Sequence, residues 1–118
     1  MCGIFALMSK LDVSVIQNEF EKGKNRGPEY SKLTKINLLH AKDNNMYLGF
    51  HRLAINGLND KSNQPLVHSG VFLICNGEIY NYKQLYDMMN LKGQTDSDCE
   101  VIIHLYQKYG LHIARTAN

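Results

Sequence analysis

The sequence predicts an α+β domain, and the order of its apolar patterns is the main reason. A strand pattern comes first, a helical pattern follows, further strand patterns come next, and two helical patterns close the chain. Strands and helices arranged in this way are typical of layered α+β domains. A composition of 44% hydrophobic and 20% charged residues in a chain of 118 residues predicts one globular domain with a modest core.

The amino-terminal third is predicted to be a strand followed by a helix. Residues 4–8 (IFALM) form an apolar run, which predicts a short buried strand. Residues 12–24 carry apolar side chains at helical spacing behind Asp12, a residue type that favours helix N-caps. The Gly-Pro pair within residues 25–31 (NRGPEYS) is expected to end this helix.

The middle of the chain is predicted to be mostly strands. Residues 35–42 (KINLLHAK) and 46–55 (MYLGFHRLAI) flank the sequence DNN at 43–45, which predicts a hairpin. Residues 56–65 are predicted to be a polar loop, and residues 70–77 (GVFLICNG) a strand that ends in Asn-Gly.

The carboxyl-terminal third is predicted to hold two helices. Residues 80–91 show helical spacing of their apolar side chains, and residues 97–110 do so again. Ser97 is predicted to be the N-cap of the second helix, with Glu100 completing a capping box and Gly110 ending the helix.

Composition argues against several classes of function. The net charge is +2, and the 13 basic residues are mixed with 11 acidic ones, so nucleic acid is not an expected partner. Three widely spaced cysteines without a CxxC pair favour a reducing compartment over a disulfide framework or a zinc ribbon. The histidines lack metal-binding spacing, no apolar run is long enough to span a bilayer, and no signal peptide is recognised. The expected location is therefore the cytoplasm, without a metal or a membrane.

Cys2 directly follows the initiator methionine, and this position allows two interpretations. Removal of the methionine would leave one residue with both a thiol and a free α-amine. An α-amine has a pKa of about 7.7–8.0, so it can serve as the base for its own thiol. The other interpretation is a buried cysteine at the start of a strand, and the residues at this point favour neither.

Five further motifs resemble one family. They follow one another in the order found in class II glutamine amidotransferases, and in detail they are similar to the amidotransferase domain of glutamine-hydrolysing asparagine synthetases. The resemblance covers about residues 2–110, and it implies a partial αββα sandwich of the amino-terminal nucleophile hydrolase type. The motifs are RGPEY at 26–30, FHRLAI at 50–55, QP at 64–65, CNGEIYNY at 75–82 and TDSDCEVI at 95–102.

The resemblance implies Cys2 as the nucleophile, with the side-chain amide of Asn76 and the backbone N–H of Gly77 as an oxyanion hole. Taken alone, Asn76-Gly77 is also the strongest short signal for a hairpin turn. Glutamine-binding residues implied by the family are Arg52, Leu53, Ile55, Asn76, Gly77, Glu78 and Asp98.

The resemblance assigns the charged members of this set to the two ends of glutamine. Arg52 is expected to bind the α-carboxylate, for which a guanidinium fork is suited, although a lone arginine is usually solvated. Asp98 and Glu78 are expected at the α-ammonium, and Asp98 also suits the first turn of a helix. Residues 26–28 are expected to support the wall beside the nucleophile.

The remaining predictions concern the other thiols and the extent of the chain. Cys75 and Cys99 are expected to be small core residues rather than reactive thiols. The family continues with further strands and an ATP-using synthetase domain, so the domain is expected to be truncated, and the chain alone to self-associate and show weak or no activity. ATP and Mg²⁺ are expected only in that further domain, with no cofactor in this chain.

Three functions remain open. The first is hydrolysis of glutamine to glutamate and ammonia, as in asparagine biosynthesis. The second is an inactive fragment that binds glutamine or associates with a separate chain that carries the rest of the domain or the synthetase domain. The third, hydrolysis of another amide, is disfavoured because Arg52 and Asp98 suit a free amino acid.

Overall fold

A computed structural model describes residues 2–37, 45–54 and 59–112. These residues form helices and antiparallel sheets, as the α+β prediction expects. The strands are β1 Gly3–Ser9, β2 Tyr30–Ile36, β3 Asn45–Arg52, β4 Leu66–His68 and β5 Val71–Leu73. The α-helices are α1 Val13–Glu21, α2 Tyr82–Met89 and α3 Val101–Tyr109. Four short 3₁₀ turns lie at Lys24–Arg26, Asp60–Ser62, Asp98–Glu100 and Gly110–His112.

The larger sheet has the strand order β1-β3-β2, and both pairings are antiparallel. The central strand β3 is almost fully buried, whereas buried and exposed residues alternate along β1. Ile4 and Met8 are 51% and 55% exposed, so the prediction of a buried first strand is wrong. The physical reason is that β1 pairs only with β3 among the described residues and covers the core with one face.

Helix α1 packs against this sheet. It begins behind Asp12, whose side chain accepts hydrogen bonds from the backbone N–H and the hydroxyl of Ser14 at 2.8 and 2.6 Å. The predicted cap is therefore confirmed, although the helix is shorter than the expected 12–24. Phe20 lies directly over Gly49 of β3, where a Cβ atom would come within 2.5 Å of the phenyl ring. Glycine at this position allows the helix to approach the sheet closely.

The two hairpin predictions have different outcomes. β2 and β3 pair as an antiparallel hairpin, but β2 begins at Tyr30, earlier than predicted, and the turn lies partly outside the described residues. Strand β4 was not predicted, and it pairs with β5 across Ser69 and Gly70, both with positive φ. Because β5 ends at Leu73, Asn76-Gly77 lies between a strand and a helix, which excludes the hairpin interpretation of this pair.

Helices α2 and α3 form a second core, and the predicted capping box is wrong. Ser97 caps the 3₁₀ turn Asp98–Glu100 without a side-chain hydrogen bond, and α3 begins only at Val101. The Glu100 carboxylate accepts hydrogen bonds from the backbone of Gln94 and from the backbone and hydroxyl of Thr95, at 2.6–2.8 Å. Gly110, at φ 61°, ends α3 as predicted.

The same contacts determine the charge of the buried Glu100. Burial raises the pKa of its carboxyl. The hydrogen bonds from Thr95, Gln94 and His104 together lower that pKa by more than burial raises it, so the pKa lies below its ordinary value. The carboxylate therefore stabilises the fold above its unfolded-state pKa, and this contribution is lost as the pH falls through the folded-state pKa.

Among the described residues, every helix is too short to cross a membrane.

Candidate functional site

A cleft of about 310 Å³ opens where the start of β1, the end of β3, the segment after β5 and the 3₁₀ turn before α3 meet. Seven of the eight site residues predicted from the sequence line it: Cys2, Arg52, Leu53, Asn76, Gly77, Glu78 and Asp98. The eighth, Ile55, lies outside the described residues. The structure thus brings together residues from four separate segments of the chain.

Cys2 is held at the end of the central strand. Gly3 pairs opposite His51 in the β1–β3 register, which places Cys2 opposite Arg52, the last residue of β3, and next to Leu53. The thiol of Cys2 donates to the carbonyl oxygen of Leu53 at 3.5 Å, and its sulfur accepts the Leu53 N–H at 3.4 Å. Because the side chain is only half-buried and lines the cleft, the interpretation of Cys2 as a buried strand residue is excluded.

The RGP segment passes tightly along the end of β3. A Cβ atom on Gly27 would lie 2.3 Å from the carbonyl oxygen of His51, so only glycine fits. Glu29 continues the contact, since its N–H donates to the carbonyl of Arg52 at 3.2 Å and its carboxylate accepts the Ala54 N–H at 2.9 Å. These contacts agree with the predicted role of residues 26–28 as support for the wall beside Cys2.

Arg52 lies in the wall of the cleft and is only 7% exposed. This excludes the interpretation of Arg52 as a solvated surface residue. Its Nη1 donates to the side-chain oxygen of Asn63 at 2.5 Å and to the carbonyl of Asn59 at 3.2 Å. Asn59 in turn donates through its amide to Asp96. The loop that the sequence marked only as polar therefore fixes the direction of the guanidinium.

The loop with Asn76, Gly77 and Glu78 is exposed at the opposite wall. Its start is fixed by Gln64, which is 5% exposed and was missed as a functional residue. The Gln64 amide donates to the carbonyl of Cys75 at 3.1 Å and accepts the Cys75 N–H at 2.5 Å. The signal available in the sequence was the QP pair at 64–65. It is one of the five motifs that resemble the family, but the motif alone assigned no role to its glutamine.

Gln64→Ala should therefore lower the free energy of unfolding and loosen the loop that follows Cys75. The substitution leaves two part-buried backbone groups of Cys75 without their partner, and each costs up to about 1–3 kcal/mol. Urea unfolding of the variant, beside Gln17→Ala, measures this. Gln17 also makes a side-chain hydrogen bond, to Glu21, but on the exposed face of α1, so its loss should cost less than about 0.5 kcal/mol. Equal losses in the two variants would contradict the role of Gln64.

Asp98 joins the same loop to the start of α3. Its Oδ2 accepts the Ile79 N–H at 2.5 Å, and its side chain lines the cleft half-buried. Asp98 also lies in the first turn of the 3₁₀ segment that leads into α3. Asp98 therefore holds the loop through Ile79, and its carboxylate also forms part of the cleft wall.

His51 is a second residue whose function the sequence did not indicate. It is 2% exposed, with Nε2 2.8 Å from the carbonyl oxygen of Phe20 and Nδ1 2.7 Å from the Ser31 hydroxyl. Because a carbonyl can only accept, we assign the proton to Nε2. The imidazole thus connects α1, β2 and β3 directly behind Gly3. A polar residue inside an apolar strand was the available signal.

The two remaining thiols differ from each other. Cys99 is 3% exposed and packs with Leu66 and Ile103, as a core residue should. Cys75 packs against the same cluster but is only half-buried, and both thiols line the cleft. The prediction of a plain core residue is therefore correct for Cys99 in its packing and wrong for Cys75.

Comparisons with known proteins give consistent matches. Residues 1–118 match the family described as "Glutamine amidotransferase domain". A probable asparagine synthetase (glutamine-hydrolyzing) of Acanthamoeba polyphaga mimivirus is 36% identical over 115 residues, which are 93% of this chain and 20% of that protein. Asparagine synthetase 2 (glutamine-hydrolyzing) of Oryza sativa is 37% identical over 118 residues, 93% of this chain and 19% of the relative. The chain therefore spans about a fifth of the length of these curated relatives.

Proposed function

Because the chain belongs to the family of glutamine amidotransferase domains, we propose that it hydrolyses glutamine to glutamate and ammonia, with Cys2 as the nucleophile. The observation that carries this proposal is that one cleft collects all the groups the reaction needs. A thiol, an amide next to a glycine N–H, a guanidinium and a carboxylate come from separate segments and line one cavity. These groups match the chemistry of an acyl transfer on a free amino acid.

The proposed reaction gives each group a separate role, and the α-amine of Cys2 acts in every proton transfer. The Cys2 sulfur attacks the side-chain carbonyl carbon of glutamine, and the α-amine of Cys2 takes the thiol proton. The side-chain amide of Asn76 and the N–H of Gly77 donate to the oxyanion, and loss of one such donor costs about 3–4 kcal/mol in comparable sites. Ammonia leaves with the proton from the amine. Water, deprotonated by the same amine, then attacks the thioester and breaks its C–S bond, which releases glutamate, and the Cys2 thiolate takes the proton back from the amine.

Glutamine is proposed to lie between the two charged walls. The α-carboxylate binds at Arg52, whose guanidinium direction is fixed by Asn59 and Asn63. The α-ammonium binds at Asp98 and Glu78, with Leu53 and Ile55 as further substrate contacts. Opposite charges at the two ends select a free amino acid over a peptide amide.

The wider context is part of the same proposal. We place the domain in the αββα sandwich of amino-terminal nucleophile hydrolases and in the cytoplasm, where a thiol nucleophile stays reduced. Its relatives are named as glutamine-hydrolysing asparagine synthetases, so the ammonia is proposed to serve asparagine synthesis. ATP and Mg²⁺ would act in a synthetase domain, in the same protein or on a separate chain. The glutaminase reaction itself needs no cofactor.

A second candidate function is a binding module that holds glutamine, or a partner chain, without turnover. The exposed Ile4 and Met8 on β1 favour it, because exposed apolar side chains on an outer strand promote association. In this candidate function the cleft binds its ligand but catalyses no reaction.

The test combines intact mass with turnover. We expect the purified protein to begin at Cys2 with a free amine, and to release glutamate from glutamine more slowly than full-length relatives do. Asparagine, which is shorter by one methylene, is the control substrate and should react far less. Retained Met1 or an acetylated terminus would contradict the proposed chemistry. Saturable glutamine binding without glutamate, at a free Cys2 amine, would favour the binding module.

A further inference from the structure

Two thiols share one wall of the cleft, and the proposed reaction uses neither of them. Cys75 packs against the cluster that Cys99 forms with Leu66 and Ile103. The two thiols interact through their side chains, and both line the cleft. The Cys99 sulfur also lies 3.5 Å from the carbonyl oxygen of Gly77, which is the alternative acceptor for its one proton. The three cysteines of the chain are free, so this pair is a dithiol.

The two members of the pair have complementary reactivity. The hydrogen bond from Cys99 lowers the pKa of the Cys75 thiol to about 7, against the opposing effects of burial and of Asp98. The same hydrogen bond, together with burial, raises the pKa of Cys99. A half-buried thiol that ionises near neutrality is a nucleophile, and an adjacent buried thiol can resolve the product.

We propose that Cys75 and Cys99 form a redox-sensitive dithiol, which closes to a disulfide by exchange with a small disulfide such as oxidised glutathione. The Cys75 thiolate attacks one glutathione sulfur, forms a mixed disulfide and releases one glutathione thiolate. Cys99 then gives its proton to the glutathione thiolate released in the first step and attacks the Cys75 sulfur. This attack breaks the mixed disulfide and releases the second glutathione as a thiolate, which water protonates. Two protein thiols are oxidised, and one glutathione disulfide is reduced to two thiols.

The disulfide would act on the glutamine site through the backbone. It joins the residue before Asn76 to the residue after Asp98, and it removes the Cys99 donor from the carbonyl of Gly77. This consequence rests on the proposed function. We expect the oxidised protein to release glutamate more slowly than its own reduced form, and reduction to restore the rate.

The test uses the full chain with Cys2→Ser, so that only the proposed pair can react. After treatment with oxidised glutathione, the protein should be lighter by two hydrogen atoms, carry no glutathione and yield a peptide that links Cys75 to Cys99. With Cys99→Ala added, glutathione should remain on Cys75. With Cys75→Ala instead, the buried Cys99 should stay reduced. Closure should be faster in the folded protein than in urea, because the fold holds the thiols together.

Two results would overturn the dithiol: glutathione that persists on Cys75 while Cys99 is present, or a linked pair that forms no faster in the folded protein than in urea. A separate arm adds glutamine, which should slow the oxidation because it would cover this wall of the cleft. Failure of that protection, with the disulfide still forming, would contradict the proposed placement of glutamine and leave the dithiol standing. The two hypotheses are thus tested independently.

Discussion

Cys2→Ala is expected to abolish glutamate release and to leave glutamine binding close to that of the parent protein. In the proposed mechanism the Cys2 sulfur makes and breaks the covalent bond, whereas Arg52, Glu78 and Asp98 bind the two ends of glutamine. A variant that loses kcat while binding persists has lost an interaction made in the reaction itself. Glutamate assays and calorimetric titration with glutamine measure the two effects.

The matched control is Cys75→Ala, which removes the other half-buried thiol of the same cleft. Its side chain donates nothing to the proposed reaction, so it should keep most of the turnover. A covalent probe makes the result independent of the rate: a glutamine analogue with a diazoketone in place of the amide should alkylate Cys2. Glutamate release by Cys2→Ala, or alkylation of Cys75 in place of Cys2, would refute the nucleophile.

Arg52→Ala is expected to weaken glutamine binding by about 10- to 100-fold, since a lost charge-assisted hydrogen bond costs about 1.5–3 kcal/mol. Arg52→Lys should give an intermediate loss, because a lysine keeps the charge but not the planar fork. Asp98→Ala should also weaken binding, and it should in addition destabilise the fold by removing the acceptor of the Ile79 N–H.

Lys61→Ala is the matched control for Arg52, because Lys61 is an exposed cation in the loop that holds the guanidinium. It should leave glutamine binding unchanged. Urea unfolding of each variant separates lost affinity from lost stability, since Arg52 also makes two contacts to that loop. Parent-like glutamine affinity in a folded Arg52→Ala protein would show that the α-carboxylate binds elsewhere.

Local signals predicted the elements whose causes are local. Asp12 caps α1, and Gly110 ends α3, because each acts on backbone groups within the adjacent turn of its helix. The capping box at Ser97 failed because both of its members have other partners. Glu100 accepts from Gln94 and Thr95, which precede the helix, and the Ser97 N–H donates to the Thr95 hydroxyl. A rule based on spacing in the sequence cannot predict which of several donors the Glu100 carboxylate accepts from, because the choice depends on distances in the folded chain.

The exposure of β1 shows the same limit on the scale of the sheet. An apolar run such as residues 4–8 predicts burial on both faces, but the number of faces covered depends on which strands and helices pack there. In the structure β1 pairs only with β3 among the described residues, and Ile4 and Met8 are more than half exposed. Pairing partners are a property of the assembled sheet.

The sequence by itself determined the chemistry: a thiol beside the amino terminus, an Asn-Gly pair, an arginine and an aspartate in the order of one family. Only the tertiary structure decided that these groups line one cleft, that Gln64 and Asn63 fix two of its walls, and that Cys75 faces it. The physical reason is distance along the chain. The contact between Cys2 and Leu53 spans 51 residues, and such contacts are specified by strand register and packing, which no local pattern of residues encodes.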